Sequence, residues 1–432
     1  MKNLLKTLSI FLLVFSSANA QQEKGIIGVN NWLNNWTEFK PNKVDYGEPN
    51  QLLAGTISTN TKLLKKNVYS LQGNVYLTNN AVLTIEPGTK IIGDYETKGT
   101  LIVTKGASII ADGLETDPIV FTSNRSMKKA GDWGGIIILG DAPINKFGGI
   151  ASLLSGSSSY NTDLTFYGGN NEAGNSGILR YVRIEFAGAK MESGPGNMNS
   201  LLLAAVGNKT TIQNVMVSFS GGDSFEMLGG SLSISQAVSF KSSNDDFKFN
   251  YGAQANISNS LAIRSSFLSS ALGSRCLDVA SYDKKSEVDL SKKQTVVTAT
   301  NLTLVNNSDD IALDIQSGLV KEGIFVSENA SLICKRTVIS GFKPAVLLDK
   351  TIEINPANLN KIKFESMYFN NCAGNIFFVD NSNNEDLEDH YGQRAFFNYF
   401  SPNTPNSETF IDSSNDKRPD FRLQLSKITA SN

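Results

Sequence analysis

Residues 81–113 read AVLTIEPGTKIIGDYETKGTLIVTKGASIIADG, and the second half echoes the first. Leu83, Ile85, Gly88 and Ile91 return as Leu101, Val103, Gly106 and Ile109, each displaced by 18 residues. The step runs on through Ile119/Phe121 and Ile137/Leu139. Residues two apart share one face of a strand, so these pairs predict four strands stacked with their apolar faces aligned. A helical repeat would show a 3.6-residue period, which is absent. The constant interval predicts a parallel β-helix, each coil extending a sheet laid down by the coil before.

Longer coils follow. TTIQN (210–214), SISQ (233–236) and NISN (256–259) place Ile212, Ile234 and Ile257 at steps of 22 and 23, each two residues before Asn214, Gln236 or Asn259. TATN (298–301) adds Asn301. A second apolar strand succeeds each amide, as in Val238/Phe240 and Leu261/Ile263. A third comes after a polar turn, at Phe225/Met227, Phe247/Phe249 and, in a later coil, Ile311/Leu313. Three strands per coil account for the 36 glycines, which suit corners of positive φ. The amides are expected to stack inside a corner and bond from coil to coil. The solenoid is predicted over 66–380, with inserted loops near 122–177 and 281–293. Residues 21–65 and 381–432 are expected to cap its ends, with Trp32 and Trp36 plugging the first.

Residues 1–20 carry Lys2 and Lys6, a mostly apolar run over 8–15, and Ala18-Asn19-Ala20. That pattern is a secretory signal peptide, its apolar part too short to span a bilayer, and it predicts an exported chain. The 39 basic and 41 acidic residues leave no basic excess, which argues against a nucleic-acid partner. One histidine, His390, leaves no Ser-His-Asp triad or His-rich zinc site unless it folds back onto the coils. Cys276, Cys334 and Cys372 fit no metal or redox spacing and read as buried small apolar residues.

GDWGGIIILGDAPIN (131–145), the segment YGGNNEAGNSGILRYVRIEFAG (167–188) and VSFSGGDSFEMLGG (217–230) follow the repeat in that order. Together with LTIEPGTKI and PIVFTSN they resemble a family of exported β-helix proteins common in Bacteroidetes, over roughly residues 25–350. The resemblance implies an all-β, right-handed parallel β-helix of the outer membrane or cell surface, and implies no particular reaction. Members carry a more acidic run where this chain has SSNDDFKFNYG (242–252), with Lys248 and Asn250 in place of acids. Near 273–279 the chain reads GSRCLDV and keeps only Asp278.

Candidate chemistry lies at equivalent turns of successive coils. Asp223, Asp245 and Asp246, beside Glu226, form the best acidic constellation, and strands about 4.8 Å apart would bring Asp223 and Asp246 within reach of one calcium ion. The competing reading is solvated acids at bends. Trp133, Tyr160, Phe166 and Tyr167 lie in or beside the inserted loops and are candidate sugar-stacking residues. These features predict a non-enzymatic protein of the cell envelope, binding a polysaccharide or an outer-membrane protein, at the surface or in the periplasm. The alternative is a polysaccharide lyase or glycoside hydrolase acting at the acidic turns, with Arg183, Arg264 or Arg275 as electrostatic partners.

Overall fold

A computed structural model describes residues 24–153, 160–191, 196–266, 274–308, 310–379, 384–402 and 404–424; the signal peptide expected at residues 1–20 lies outside these. The chain is a right-handed parallel β-helix with three sheets running its length. On the first sheet Ile212, Ile234, Ile257, Ala299, Cys334 and Phe364 stack in register facing inward. On the second sheet the inner column is Val217, Ser239, Ala262, Leu304, Ile339 and Phe369. On the third it is Phe225, Phe247, Leu277, Ile324, Val346 and Phe377. First-sheet strands alternate buried and half-buried residues, as in Ser331–Lys335, because their outer face meets water. Val238–Phe240 and Leu201–Ala204, on the other two sheets, are buried throughout, since at these coils both sheets are covered on their outer faces.

The 18-residue echo marks strands correctly and stacks them wrongly. Leu83 pairs with Ile109 on the first sheet, Leu101 with Ile136 on the third, and Ile91 with Phe121 on the second. Each side of the coil is an apolar strand ended by a turn, so the pattern recurs from side to side as well as from coil to coil. Ile137 and Leu139 face outward beneath a loop, while Ile136 and Ile138 face the core. Ile311/Leu313 are not a strand either. They belong to a short helix, Ile311–Gln316, capped by the side chain of Asp310, and the third strand of that coil is Ile324–Val326.

Asn214, Gln236, Asn259 and Asn301 occupy the turn between first and second sheets with φ of 50°, 51°, 47° and 58°. Short polar side chains tolerate this left-handed conformation, so the amides were a true corner signal. Their partners differ from the coil-to-coil stack expected. Gln213, not Asn214, bonds to Gln236 at 3.0 Å. Asn259 accepts from the Ile27 N–H at 2.8 Å and donates to the Ile27 carbonyl at 3.1 Å, and Asn301 donates to the Gly25 carbonyl.

Those contacts fix a strap. Lys24 bonds to the Met367 and Phe397 carbonyls near the last coils, and Tyr46 bonds to Glu185 several coils earlier. Residues 24–50 therefore run back along the outer face of the second sheet, opposite to the growth of the solenoid. Ile26, Leu33, Trp36 and Phe39 bury against Met216, Val238, Phe240 and Leu261. Trp36 thus packs on a side face and meets Tyr181 edge-on at 6.0 Å, where an end plug was expected. The outward residues of this sheet are apolar and need a cover; four side chains of the strap each contribute about 1.5–3 kcal/mol by burial there. The C-terminal ribbon Phe410–Asp412/Asp420–Leu423 covers the same face beside the strap. The far end is capped by the helix Asn384–Gly392, whose Leu387 and Tyr391 close the core against Phe364 and Phe377. His390 sits on this cap against Phe396.

The third sheet is covered over its early coils by the first insertion. Ile144, Leu153 and Tyr167 pack on Tyr76, Ile102, Ile137 and Leu202. The second insertion docks on the first: Lys146 and Val288 form a bridge, and Lys146 pairs with Glu287 at 3.0 Å. Where the sequence suggested two separate excursions, the structure has one joined wall.

Candidate functional site

Along the margin of that wall the outer face of the third sheet changes its chemistry, with Glu226 and Asp278 still buried at 8% and 5% exposure and the later positions half-buried. Outward positions follow in register as Leu202, Glu226, Lys248, Asp278, Phe325, Leu347 and Phe378. Three charges of alternating sign are followed by three half-buried apolar side chains. Each charged residue stands between two inward apolar ones, in FEM, FKF and LDV, so the period of two lifts it onto the outer face. That alternation is the signal for the row; the sequence places Glu226 in the acidic constellation weighed for calcium or catalysis, and Lys248 and Asp278 among the departures from a family pattern.

Lys248 lies 3.8 Å from Glu226 and 4.0 Å from Asp283, which the second insertion supplies. Glu226 also accepts from Asn199 at 2.5 Å. Asp278 accepts from Arg275 at 3.0 Å, and the same guanidinium bonds to Glu322 at 2.6 Å and lies 4.2 Å from the Phe325 ring centre. Burial pushes the Glu226 carboxyl above its ordinary range, with Lys248 pulling back. Burial and the Asp245 charge push Asp278 up to about 7, against the opposing pull of Lys248 and Arg275. Burial lowers Lys248, yet Glu226, Asp223 and Asp278 outweigh it and hold the ammonium well above its usual value. The other oxygen of Asp278 is buried and has no hydrogen-bond partner among the described residues. An oxygen buried without a partner disfavours the charged form, which fits the raised carboxyl pKa.

The acidic constellation divides. Asp223 faces Asp245 in the neighbouring coil, and its carboxylate accepts from Asn244 at 2.5 Å and from the Asp245 N–H at 3.0 Å. Burial and the Asp245 charge raise the Asp223 carboxyl well above its ordinary range. Asp245 accepts from the Ser274 and Arg275 N–H groups. Asp246, one residue on, turns to the interior and bonds to Ser239 at 2.5 Å and Arg264 at 2.9 Å. A single step along a strand reverses the side chain, so Asp246 does not join Asp223 around one ion. Among the described residues no three His, Cys, Asp or Glu are grouped to hold a metal. Arg183 lies on the second sheet beside Tyr46 and Glu185, away from this row.

The aromatic candidates also separate. Trp133 is fully buried, stacks on Phe121 at 6.4 Å and donates to the Glu185 carbonyl at 2.7 Å. It offers no face to a sugar. Tyr160 donates to the Met198 sulfur at 3.0 Å, at the margin of the wall. Tyr167 is 2% exposed and packs under the first insertion, close enough to Glu226 for that charge, after burial, to help raise its hydroxyl pKa. Phe166, 43% exposed, is the one of the four that meets solvent freely. The row supplies Phe325 and Phe378 instead.

No helix among the described residues is long and apolar enough to cross a membrane. Comparison with curated proteins finds no match, and comparison with solved structures finds none. A family model described as a pectate-lyase-like beta helix domain matches residues 55–399. With most of the chain covered and the coils in register throughout, the protein belongs to the pectate-lyase-like beta-helix domain family.

Proposed function

We propose that the protein is an exported glycan-binding protein of the cell envelope, and that the glycan lies across the coils along the outer face of the third sheet. The row that runs from Lys248 past Asp278 to Phe325, Leu347 and Phe378, a half-buried cation followed in register by half-buried apolar side chains, carries the reading. The row is linear and crosses one strand about every 4.8 Å, which suits an extended ligand. Its charged part supplies donors to carboxylate or hydroxyl oxygens, and its apolar part supplies ring faces. An outer-membrane protein partner on the same face is the envelope alternative.

Turnover by a lyase or hydrolase has one observation in its favour: two carboxyls of raised pKa flank a cation. Glu226 and Asp278 are two strands apart, about 10 Å along the sheet, near the upper end of the ~6.5–9.5 Å used for inversion through water. Lys248 occupies the place of that water. Binding is therefore the first reading.

A panel of neutral and acidic polysaccharides, with and without calcium because Asp223 and Asp245 face one another, separates the readings. Saturable binding without new reducing ends or unsaturated products, weakened by Lys248→Gln and Phe325→Ala, is the expected result. Turnover lost in Asp278→Asn would establish the enzymatic reading. Binding to no glycan, together with capture of an envelope protein by the same face, would replace the glycan with a protein partner.

A further inference from the structure

The two tails enclose a second groove, far from the charged row, on the outer face of the second sheet. Phe39 of the strap and Phe421 of the C-terminal ribbon flank Phe219, Phe240 and Ile263, leaving a cavity of about 280 Å³. Its floor is aromatic. Phe240 meets Phe39 edge-on at 5.1 Å and Phe219 edge-on at 5.5 Å, and Phe219 stacks on Phe186 at 5.3 Å. Phe219 and Phe186 hold φ of 54° and 62°. Lys241 holds the same left-handed conformation at the equivalent corner of the next coil, with φ of 56°, so the turn of the coil sets the position of these rings.

The rim is basic. Lys40 pairs with Asp416 of the C-terminal tail, and Lys43 and Lys241 also line the cavity. Among the described residues neither Lys43 nor Lys241 has a carboxylate within ion-pairing distance, and the Lys241 ammonium lies 5.2 Å from the Phe240 ring centre. Asp416 shows the field at this rim: its carboxyl is held below its ordinary range, chiefly by Lys40, with Lys43 and Lys241 adding to the effect. Three lysines against one aspartate leave two positive charges over an aromatic floor.

Size narrows the occupant. An apolar cavity of about 150 Å³ takes benzene, and pockets for larger ligands begin near 300 Å³. The groove thus has room for one ring with its substituent and none for a chain. We propose that it binds a small anion carrying a single ring, the ring against Phe219 and Phe240 and the anionic group between Lys43 and Lys241. Because Phe39 and Lys43 come from one tail and Asp416 and Phe421 from the other, such a ligand would fasten both tails to the sheet.

The test uses the full chain and salicylate as a fluorescent single-ring anion, displaced by phenyl phosphate or by inorganic phosphate. A saturable signal is expected, displaced by phenyl phosphate at concentrations where inorganic phosphate has no effect. Affinity should fall at least about tenfold, or ~1.4 kcal/mol, in the Lys43→Gln/Lys241→Gln double variant. Both side chains reach solvent, and circular dichroism verifies that the variant is folded. Unchanged affinity in that variant, absence of a saturable signal, or equal displacement by inorganic phosphate would each overturn the proposal.

Discussion

Asp246 and Arg264 show what a single residue step decides. Their side chains are 0% and 4% exposed, inside the coil, while Asp245 next door reaches the outer turn. Arg264→Ala would strand a buried carboxylate and is expected to cost about 3–5 kcal/mol, read as a lower urea midpoint. The paired change Asp246→Asn with Arg264→Met removes both charges and should recover most of that loss. Asp278 makes a different prediction. Its folded pKa of about 7 lies above the unfolded value near 3.9. The protonated form therefore favours the folded state, a contribution full below about pH 4 and lost as pH climbs through 7. Thermal melts from pH 5 to 8 should decline with rising pH, and Asp278→Asn should flatten the decline.

At the scale of strands and turns, the sequence was most legible where the chain repeats itself. Inward pairs such as Phe247/Phe249 and left-handed amides such as Asn259 recur because every coil meets the same steric demand. The strap was not legible, because each of its contacts is made once. Ile27 meets Asn259 across 232 residues, with no second instance to mark it. The charged row was half legible: its alternation was there, but a lysine between acids read as a lost cation site, and the packing of the second insertion beside it was invisible. Trp36→Ala should cost about 3–5 kcal/mol, seen as a lowered melting temperature. Asn259→Gly preserves the left-handed turn and removes two bonds to the strap, at about 1 kcal/mol each. Hydrogen exchange should then quicken at residues 25–30 and stay unchanged in the third sheet.

Over the whole molecule, contacts between neighbouring coils span a few tens of residues, as Phe225 to Phe247 does. Solenoids built this way gain stability coil by coil. The strap departs far from that rule, with Lys24 held by the Met367 carbonyl 343 residues away. Closing so long a loop is entropically expensive, and the reward arrives only when its docking face exists. A ribosome releases the strap first and its last coils at the end of synthesis. Residues 24–50 therefore cannot finish docking until the coil at 362–370 has been laid: Tyr46, Trp36 and Phe39 find Glu185, Tyr181 and Phe240 in earlier coils, and Lys24 reaches the Met367 carbonyl last. Refolding should accordingly show sheet circular dichroism before the change in Trp36 fluorescence, tracked in a Trp32→Phe/Trp133→Phe background. The strap is thereby a completion check: its docking records that every coil beneath it has been built.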